Sequence, residues 1–207
     1  MGPVRRLAEE VRPAPDYSAP AITIQDNVLA PDSQQAMLDF LRGPGWGYGA
    51  FSDPAPDASR YWYKHFAGYV QTGQENRDPD QIDRELEGAA PLAAEMWRQI
   101  QPAFLPGQRL TRCYANGYPF GSEGGLHMDS NIPSHCTVIY YPHQAWHPNF
   151  GGETLFFNAA GDEIIAAVYP RPNRLVVFSG TIPHVARPIS RKCPDLRITL
   201  MFKTAPQ

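Results

Sequence analysis

The chain has 207 residues, which suits one ordinary domain, and its 18 lysines and arginines against 21 aspartates and glutamates give a formal charge of −3. This near-neutral charge, without a block of either sign, offers no surface for a nucleic-acid backbone or an anionic membrane. Hydrophobic residues make up 43% of the chain, which excludes general disorder, and no apolar run has the length of a membrane span or a signal peptide. We therefore expect a cytoplasmic protein with neither nucleic acid nor membrane among its partners.

Helical signals are confined to the first half of the chain. Residues 1–20 lack apolar periodicity and predict an N-terminal tail or strap, so that residues 21–207 form a single domain. A short amphipathic helix is predicted from Pro31 to the glycines after residue 42, and a second helical stretch from about 80 to 100 is predicted to break at Pro91. We expect these helices, within residues 31–101, to support the rest of the domain.

Beyond residue 108 the pattern changes to short strand-like runs separated by turns. The 22 prolines and 17 glycines of the chain favour such an architecture. The eight runs are RLTRCY, GGLHMD, CTVIYY, ETLFF, EIIAAVY, RLVVFSG, HVARPI and LRITLMF. Because no helical period lies between them, residues 108–204 predict a mainly β core, a jelly roll or small barrel of antiparallel strands.

Two histidines and one aspartate form a candidate metal site. His127 and Asp129 are one residue apart in a predicted strand, where the period of two turns both side chains to the same face. His184 follows another apolar strand, at the start of a short loop. Two imidazoles and one carboxylate form the facial triad of non-haem Fe(II) oxygenases, which leaves positions open for a bidentate co-substrate and O2.

A co-substrate such as 2-oxoglutarate would chelate iron through one carboxylate and its keto oxygen, leaving its other carboxylate in need of a cation. A guanidinium supplies a planar bidentate partner for that group. Arg197 opens the last predicted strand and is favoured as this anchor because of its strand context. Arg187 and Arg191 remain alternatives, since both also follow His184.

The segment from Cys113 to Lys203, with its H-x-D, GGE, histidine and arginine in order, resembles the catalytic domain of the prolyl 4-hydroxylase-like Fe(II)- and 2-oxoglutarate-dependent dioxygenases. The resemblance implies a double-stranded β-helix, the cupin-like form of the jelly roll, with His127, Asp129 and His184 as iron ligands. It further implies that Arg197 anchors 2-oxoglutarate.

The resemblance also implies that Tyr114 and Tyr141 help to hold the co-substrate. Alternation along the strand places Thr137, Ile139 and Tyr141 on one face and turns Tyr140 to the other. Thr199 shares a strand face with Arg197 and could line the same pocket.

By this resemblance the chain is expected to be an enzyme that uses Fe(II), 2-oxoglutarate and O2. It would oxidise, most simply hydroxylate, an unactivated C–H bond and release succinate. A small molecule, such as an amino acid or a natural-product intermediate, is favoured as substrate because no peptide-binding repeat is visible. A prolyl or other side-chain hydroxylase acting on a peptide is the alternative, and a non-catalytic jelly-roll binding or sensor module is a further one.

Two further segments are rich in histidine or aromatic residues. The prolines around His143 and His147 disfavour a helix, so a loop over the site is expected in place of a helical metal pair. In the aromatic segment that begins at Trp46, an extended YWY would turn Trp62 away from the face shared by its two neighbouring tyrosines.

Overall fold

The computed structural model of the protein describes residues 22–52, 59–68 and 78–207, so the expected tail over residues 1–20 lies outside the described residues. Three α-helices lie in the first half of the chain. They are α1 (Pro31–Arg42), α2 (Pro79–Ala89) and α3 (Pro91–Phe104).

Ten strands lie in the same described ranges. In chain order they are β1 (Thr23–Asp26), β2 (Gly47–Ala50), β3 (Tyr61–Ala67), β4 (Gln108–Tyr118), β5 (Cys136–Tyr141), β6 (Thr154–Phe157), β7 (Ile164–Val168), β8 (Arg174–Ser179), β9 (His184–Ala186) and β10 (Arg197–Pro206).

The strands form two antiparallel sheets. The larger sheet has the order β1-β8-β5-β10-β4-β3-β2, and the smaller has the order β7-β6-β9. Several neighbouring strands are distant in sequence; β10, for example, pairs with both β4 and β5. The mainly β jelly-roll fold predicted from the sequence is therefore confirmed.

Strand alternation sorts the large sheet into two faces. On its outer face the three helices bury a core in which Trp97 of α3 stacks on Phe202 of β10, with ring centroids 5.7 Å apart. On its inner face a second core joins the two sheets, where Phe156 of β6 meets Phe178 of β8 edge to face at 4.8 Å. The helices thus stiffen the large sheet from behind and leave its inner face available for a site.

The predicted helices are confirmed, including the break at Pro91. Pro31 occupies the first turn of α1, where a missing N–H costs nothing, and α1 ends before Gly43. Ala90 separates α2 from α3 with φ −149°, because a residue that precedes proline is forced out of the helical region.

The strand prediction was wrong in two places. GGLHMD is not a strand: within it only His127 forms an isolated bridge, to His184. Its backbone hydrogen bonds are few and go to β9, which is three residues long, and to Gly180 in the turn before β9. Strands β1 and β2 were not predicted, since each has only four residues and β2 contains two glycines, and β3 was considered only as an extended YWY.

None of the helices in the described ranges is both long and apolar enough to cross a membrane.

Candidate active site

A cavity of about 540 Å³ lies between the two sheets. Its walls come from alternate residues on the inner face of the large sheet, from β9 and from the segment that holds His127. On β4 and β10 the lining residues are Arg112, Tyr114, Asn116, Tyr118, Arg197, Thr199 and Met201. The prediction for YWY is confirmed, since Tyr61 and Tyr63 line the cavity and Trp62 does not.

His127, Asp129 and His184 converge on the wall of this cavity. One ligand atom from each lies within 4.8 Å of the others. Nε2 of His127 lies 3.4 Å from Oδ1 of Asp129, and Nε2 of His184 lies 3.4 Å from Oδ2 of the same carboxylate. The three groups predicted from the sequence are therefore brought together, although the strand that was expected to do so does not form.

Backbone hydrogen bonds bring them together instead. His127 and His184 exchange N–H···O bonds of 3.1 and 2.9 Å, and the N–H of Asp129 donates to the carbonyl of Gly180 at 2.8 Å. The H-x-D segment is thereby attached to β9 and to the turn before it as an irregular extra strand.

Both imidazoles present the nitrogen that a metal would need. Nδ1 of His127 lies 2.8 Å from the carbonyl of Gly125, and Nδ1 of His184 lies 2.9 Å from the carbonyl of Ile182. Because a carbonyl only accepts, each Nδ1 carries the proton and each Nε2 lone pair faces Asp129. This donor set fits the facial triad that binds Fe(II).

The protonation states agree with metal binding. Burial lowers the pKa of His184 to about 4, so its imidazole is neutral at pH 7. Burial alone would raise the pKa of Asp129, but the charge of Lys203 outweighs it and holds that pKa well below its usual value. Thr137 also donates to Asp129, at 2.7 Å, and Lys203 forms an ion pair with it. The carboxylate is therefore ionised and oriented.

Arg197 is a buried cation in the same cavity. Its side chain is 2% exposed; its Nε donates to the carbonyl of Gly152 at 2.7 Å, and its Nη2 donates to Thr154 Oγ1 at 3.1 Å. These bonds fix the plane of the guanidinium. Arg187 and Arg191, the alternative anchors, are exposed and do not line the cavity.

The other predicted co-substrate residues differ in their position. Tyr114 and Thr199 line the cavity directly. Tyr141 is buried beside it: its hydroxyl is 2.7 Å from Thr154 Oγ1, and its ring lies 5.4 Å from the Arg197 guanidinium carbon. Tyr140 points to the helical side and donates to Asn173, as the alternation predicted.

Sequence reasoning missed several residues of the site. Thr154 connects Arg197 with Tyr141, and no local pattern marks it, because its partners come from distant strands. Lys203 and Tyr118 could have been found, since each follows the alternation of a strand that already carried a predicted site residue.

The segment around His143 does not lie over the site. His143 is 2% exposed, outside the cavity lining, and its Nε2 accepts a hydrogen bond of 2.9 Å from the N–H of Ile198. Gln34 of α1 donates to the His143 carbonyl at 2.6 Å. The expected loop is thus packed between α1 and β10, because a neutral imidazole satisfies a buried N–H there.

Comparison with known proteins shows which family has a similar sequence in the region of the site. Residues 113–202 match the family model described as the 2OG-Fe(II) oxygenase superfamily. The match covers 90 of the 207 residues, somewhat under half of the chain, and that segment is similar to the superfamily. Together with the triad, it indicates a 2-oxoglutarate-dependent iron dioxygenase, whose cofactor and co-substrates are Fe(II), 2-oxoglutarate and O2. A comparison with curated proteins finds none that matches the oxygenase.

Solved structures share the fold of this oxygenase. A prolyl-4-hydroxylase of Pseudomonas putida is 20% identical, with a TM-score of 0.53 over 93% of this chain and 96% of that one. An oxidoreductase of the 2OG-Fe(II) oxygenase family from Burkholderia pseudomallei is 18% identical, with a TM-score of 0.61 over 89% and 84%. HygX of Streptomyces hygroscopicus, solved with nickel and 2-oxoglutarate bound, is 11% identical, with a TM-score of 0.58 over 91% and 84%.

Proposed function

We propose that this oxygenase hydroxylates an unactivated C–H bond of a small-molecule substrate. In the overall reaction, substrate, O2 and 2-oxoglutarate give the alcohol, succinate and CO2, so that one oxygen atom enters the substrate and the other enters succinate. The observation that carries the proposal is the position of a complete two-histidine, one-carboxylate triad in a cavity that also contains a buried, rigidly held guanidinium.

His127, Asp129 and His184 are the proposed ligands of Fe(II), which when bound supplies the redox chemistry for O2 activation. The protein provides two imidazoles, each with Nε2 directed inward, and an ionised carboxylate. Their prior orientation lowers the cost of assembling the site.

Arg197 is the proposed anchor for the distal carboxylate of 2-oxoglutarate. Its bonds to Gly152 and Thr154 hold the guanidinium in one plane, which suits a bidentate carboxylate contact. Thr199, Tyr114 and Tyr141 are proposed to complete the pocket, the first two by direct contact and Tyr141 through Thr154.

The dimensions of the cavity favour a small molecule. A volume of about 540 Å³ lies within the range that small ligands occupy, roughly 300–1,000 Å³. The walls come from both sheets, so the reacting carbon would be held between packed strands and shielded from water. A peptide is the alternative substrate, and the experiment includes it as a competitor.

The test combines binding with turnover. The full chain, anaerobic with Fe(II), should develop the weak visible absorption band of the metal–2-oxoglutarate chelate, and under O2 it should release succinate when a substrate is present. His127→Ala should abolish the band. Arg197→Ala should raise the 2-oxoglutarate concentration required for it by at least about tenfold, which corresponds to losing a charge-assisted pair of about 1.4 kcal/mol or more.

Arg191→Ala is the matched control, because it removes an exposed arginine from the loop before β10. It should leave the band unchanged. Loss of 2-oxoglutarate binding in this variant and not in Arg197→Ala would refute the proposed anchor. Succinate release that depends on added peptides, and on no small molecule of a broad panel, would refute the proposed substrate class.

A further inference from the structure

The cavity has a second cationic end, remote from Arg197. Along β4 and β10, Arg197 is paired with Tyr118, whereas Arg112 is paired with Lys203. Arg112 therefore lies six residues along β4 from the level of Arg197, which is roughly 20 Å of extended strand. Because both arginines line the cavity, its two ends each present a guanidinium.

The side chain of Arg112 is held in place by two neighbours. Its Nη2 lies 2.7 Å from His65 Nε2, and its guanidinium carbon lies 4.4 Å from the centre of the Tyr114 ring. Since a guanidinium only donates, His65 Nε2 is the acceptor and His65 is neutral. Burial, assisted by the charge of Arg112, lowers the pKa of His65 to about 4, which agrees with this arrangement.

The charge of Arg112 is not neutralised within the part of the chain that the structure describes. Lys203, the adjacent cation, is paired with Asp129, but no described carboxylate lies within 4.0 Å of Arg112. The buried Nε of Arg112 also has no hydrogen-bond partner there. A partly buried cation without an anion is unfavourable, so the missing negative charge is expected to come from a bound molecule.

The cavity wall that extends from Arg112 towards Arg197 is aromatic and apolar. Tyr114 is in contact with Arg112, Tyr63 lies further along at the level of Asn116, and Tyr48 and Phe51 lie nearest to the level of Arg197. Tyr48 and Phe51 are also substantially exposed. Rings suit a carbon skeleton and supply contact area around a single charged group.

We propose that Arg112 binds a carboxylate of the primary substrate, so that the substrates of this oxygenase are small carboxylic acids with an apolar or aromatic body. The inference rests on the proposed function and narrows its substrate class. Arg197 would hold the co-substrate at one end of the cavity and Arg112 the substrate at the other, on the side of the triad, since Asp129 is paired with Lys203 opposite Arg112. His65 is a positioning residue that orients Arg112.

The test measures binding of matched acids and amides to the full chain by calorimetry, without turnover. The probes are 3-phenylpropanoate and N-acetylphenylalanine, each with its primary amide. We expect the Kd of each acid to be at least about tenfold lower than that of its amide, because one charge-assisted hydrogen bond changes an affinity by about this factor. Arg197→Gln should keep this preference, since it removes only the co-substrate anchor.

Arg112→Gln should abolish the preference, and Arg112→Lys should retain part of it, because the charge remains while the planar fork is lost. Arg109→Gln is the matched control: this arginine lies on the same strand, outside the cavity lining, and donates to Pro206. It should bind the probes as the unmodified chain does. The anaerobic 2-oxoglutarate band should still form in Arg112→Gln, because Arg197 and the triad are retained.

The outcomes separate this inference from the proposed function. Equal binding of acids and amides by the unmodified chain, or an unchanged preference in Arg112→Gln, would overturn the substrate assignment even where 2-oxoglutarate turnover depends on Arg197. An acid preference that requires Arg112, in a chain without 2-oxoglutarate turnover, would support the subsite and refute the oxygenase reaction. Loss of the preference in Arg197→Gln alone would assign the probes to the co-substrate pocket and overturn the inference.

Discussion

At the scale of single residues, Thr154 links the two sheets within the proposed 2-oxoglutarate pocket. Its hydroxyl accepts a hydrogen bond from Arg197 and lies 2.7 Å from the hydroxyl of Tyr141, so one oxygen connects a strand of the small sheet with two strands of the large one. A buried polar group that loses its partner costs about 1–3 kcal/mol.

Thr154→Val should therefore weaken 2-oxoglutarate binding several-fold, because Arg197 and Tyr141 would both lose a partner while the volume of the side chain stays the same. The anaerobic band, titrated with 2-oxoglutarate, measures this. Thr204→Val removes another buried hydroxyl, which donates to Gln108 at the far end of β10, and should leave the titration unchanged. Equal weakening in both variants would mean that the effect is not specific to the pocket.

His143 makes stability depend on pH. Burial, with the charges of Arg197 and Arg42, lowers its pKa from 6.5 to about 3 in the folded chain. As the pH falls below 6.5, the unfolded chain binds a proton that the folded chain does not bind. The stability contributed by the neutral imidazole is thus complete above pH 6.5 and is lost progressively towards pH 3.

His143→Gln keeps an acceptor for the N–H of Ile198 but cannot titrate. Between pH 6 and 4.5 its free energy of unfolding should fall less steeply than that of the unmodified chain, by up to about 1.4 kcal/mol per pH unit. Urea denaturation at several pH values measures the difference. His147→Gln, at an exposed histidine, should retain the full slope; a shallower slope there as well would contradict the assignment to His143.

At the scale of elements, the turn before β6 determines where Arg197 can lie. Gly152 has φ +79°, and a Cβ placed there would lie 2.7 Å from Ile189 Cδ1 and 2.8 Å from Arg197 Cδ. A side chain at this position would be strained and would also displace the anchor.

Gly152→Ala should therefore reduce 2-oxoglutarate affinity by at least about tenfold, in addition to lowering stability. Gly107→Ala is the control, because Gly107 has a similar φ of +76°, but a Cβ added there would meet no atom of a non-adjacent residue within 4 Å. It should lower stability through backbone strain and leave the 2-oxoglutarate titration unaffected. A comparable loss of affinity in both variants would rule out the contact with Arg197 as its cause.

The strands also show how much of the structure can be predicted from the sequence. Alternation placed Tyr140 and Tyr141 on opposite faces and Thr199 beside Arg197, because the period of two is intrinsic to a strand. The segment from 124 to 129 was predicted as a strand, yet its pairing depends on the length of β9, which only the assembled sheets determine. Thr154 and Arg112 were missed for a related reason, since their roles arise from contacts between distant parts of the chain.

At the scale of the whole molecule, the proposed ligands and anchor belong to both sheets. Arg197 lies on β10 of the large sheet, Thr154 and His184 lie on the small sheet, and His127 is attached to β9. A bound metal and co-substrate would therefore connect the two sheets, and a ligand that binds only the folded state raises stability.

Anaerobic Fe(II) with 2-oxoglutarate should raise the Tm of the full chain, by an amount that grows with the logarithm of the 2-oxoglutarate concentration. At a hundred times the Kd the stabilisation is about 2.7 kcal/mol. Thermal unfolding followed by circular dichroism measures it, and a chelator should reverse it. His127→Ala should show no shift; a shift equal to that of the unmodified chain would place the metal elsewhere.

The reciprocal backbone bonds between His127 and His184 have a further consequence for how the protein can diversify. The backbones of the two histidines are hydrogen-bonded to each other directly, at 3.1 and 2.9 Å. Exchanges at Tyr48 and Phe51, exposed residues of the cavity lining on a different segment, would therefore change the entrance while the spacing of the two histidines is preserved. Substrate contacts and metal geometry thus belong to separate segments of the chain, so exchanges at the end of β2 offer a direct route to altered selectivity.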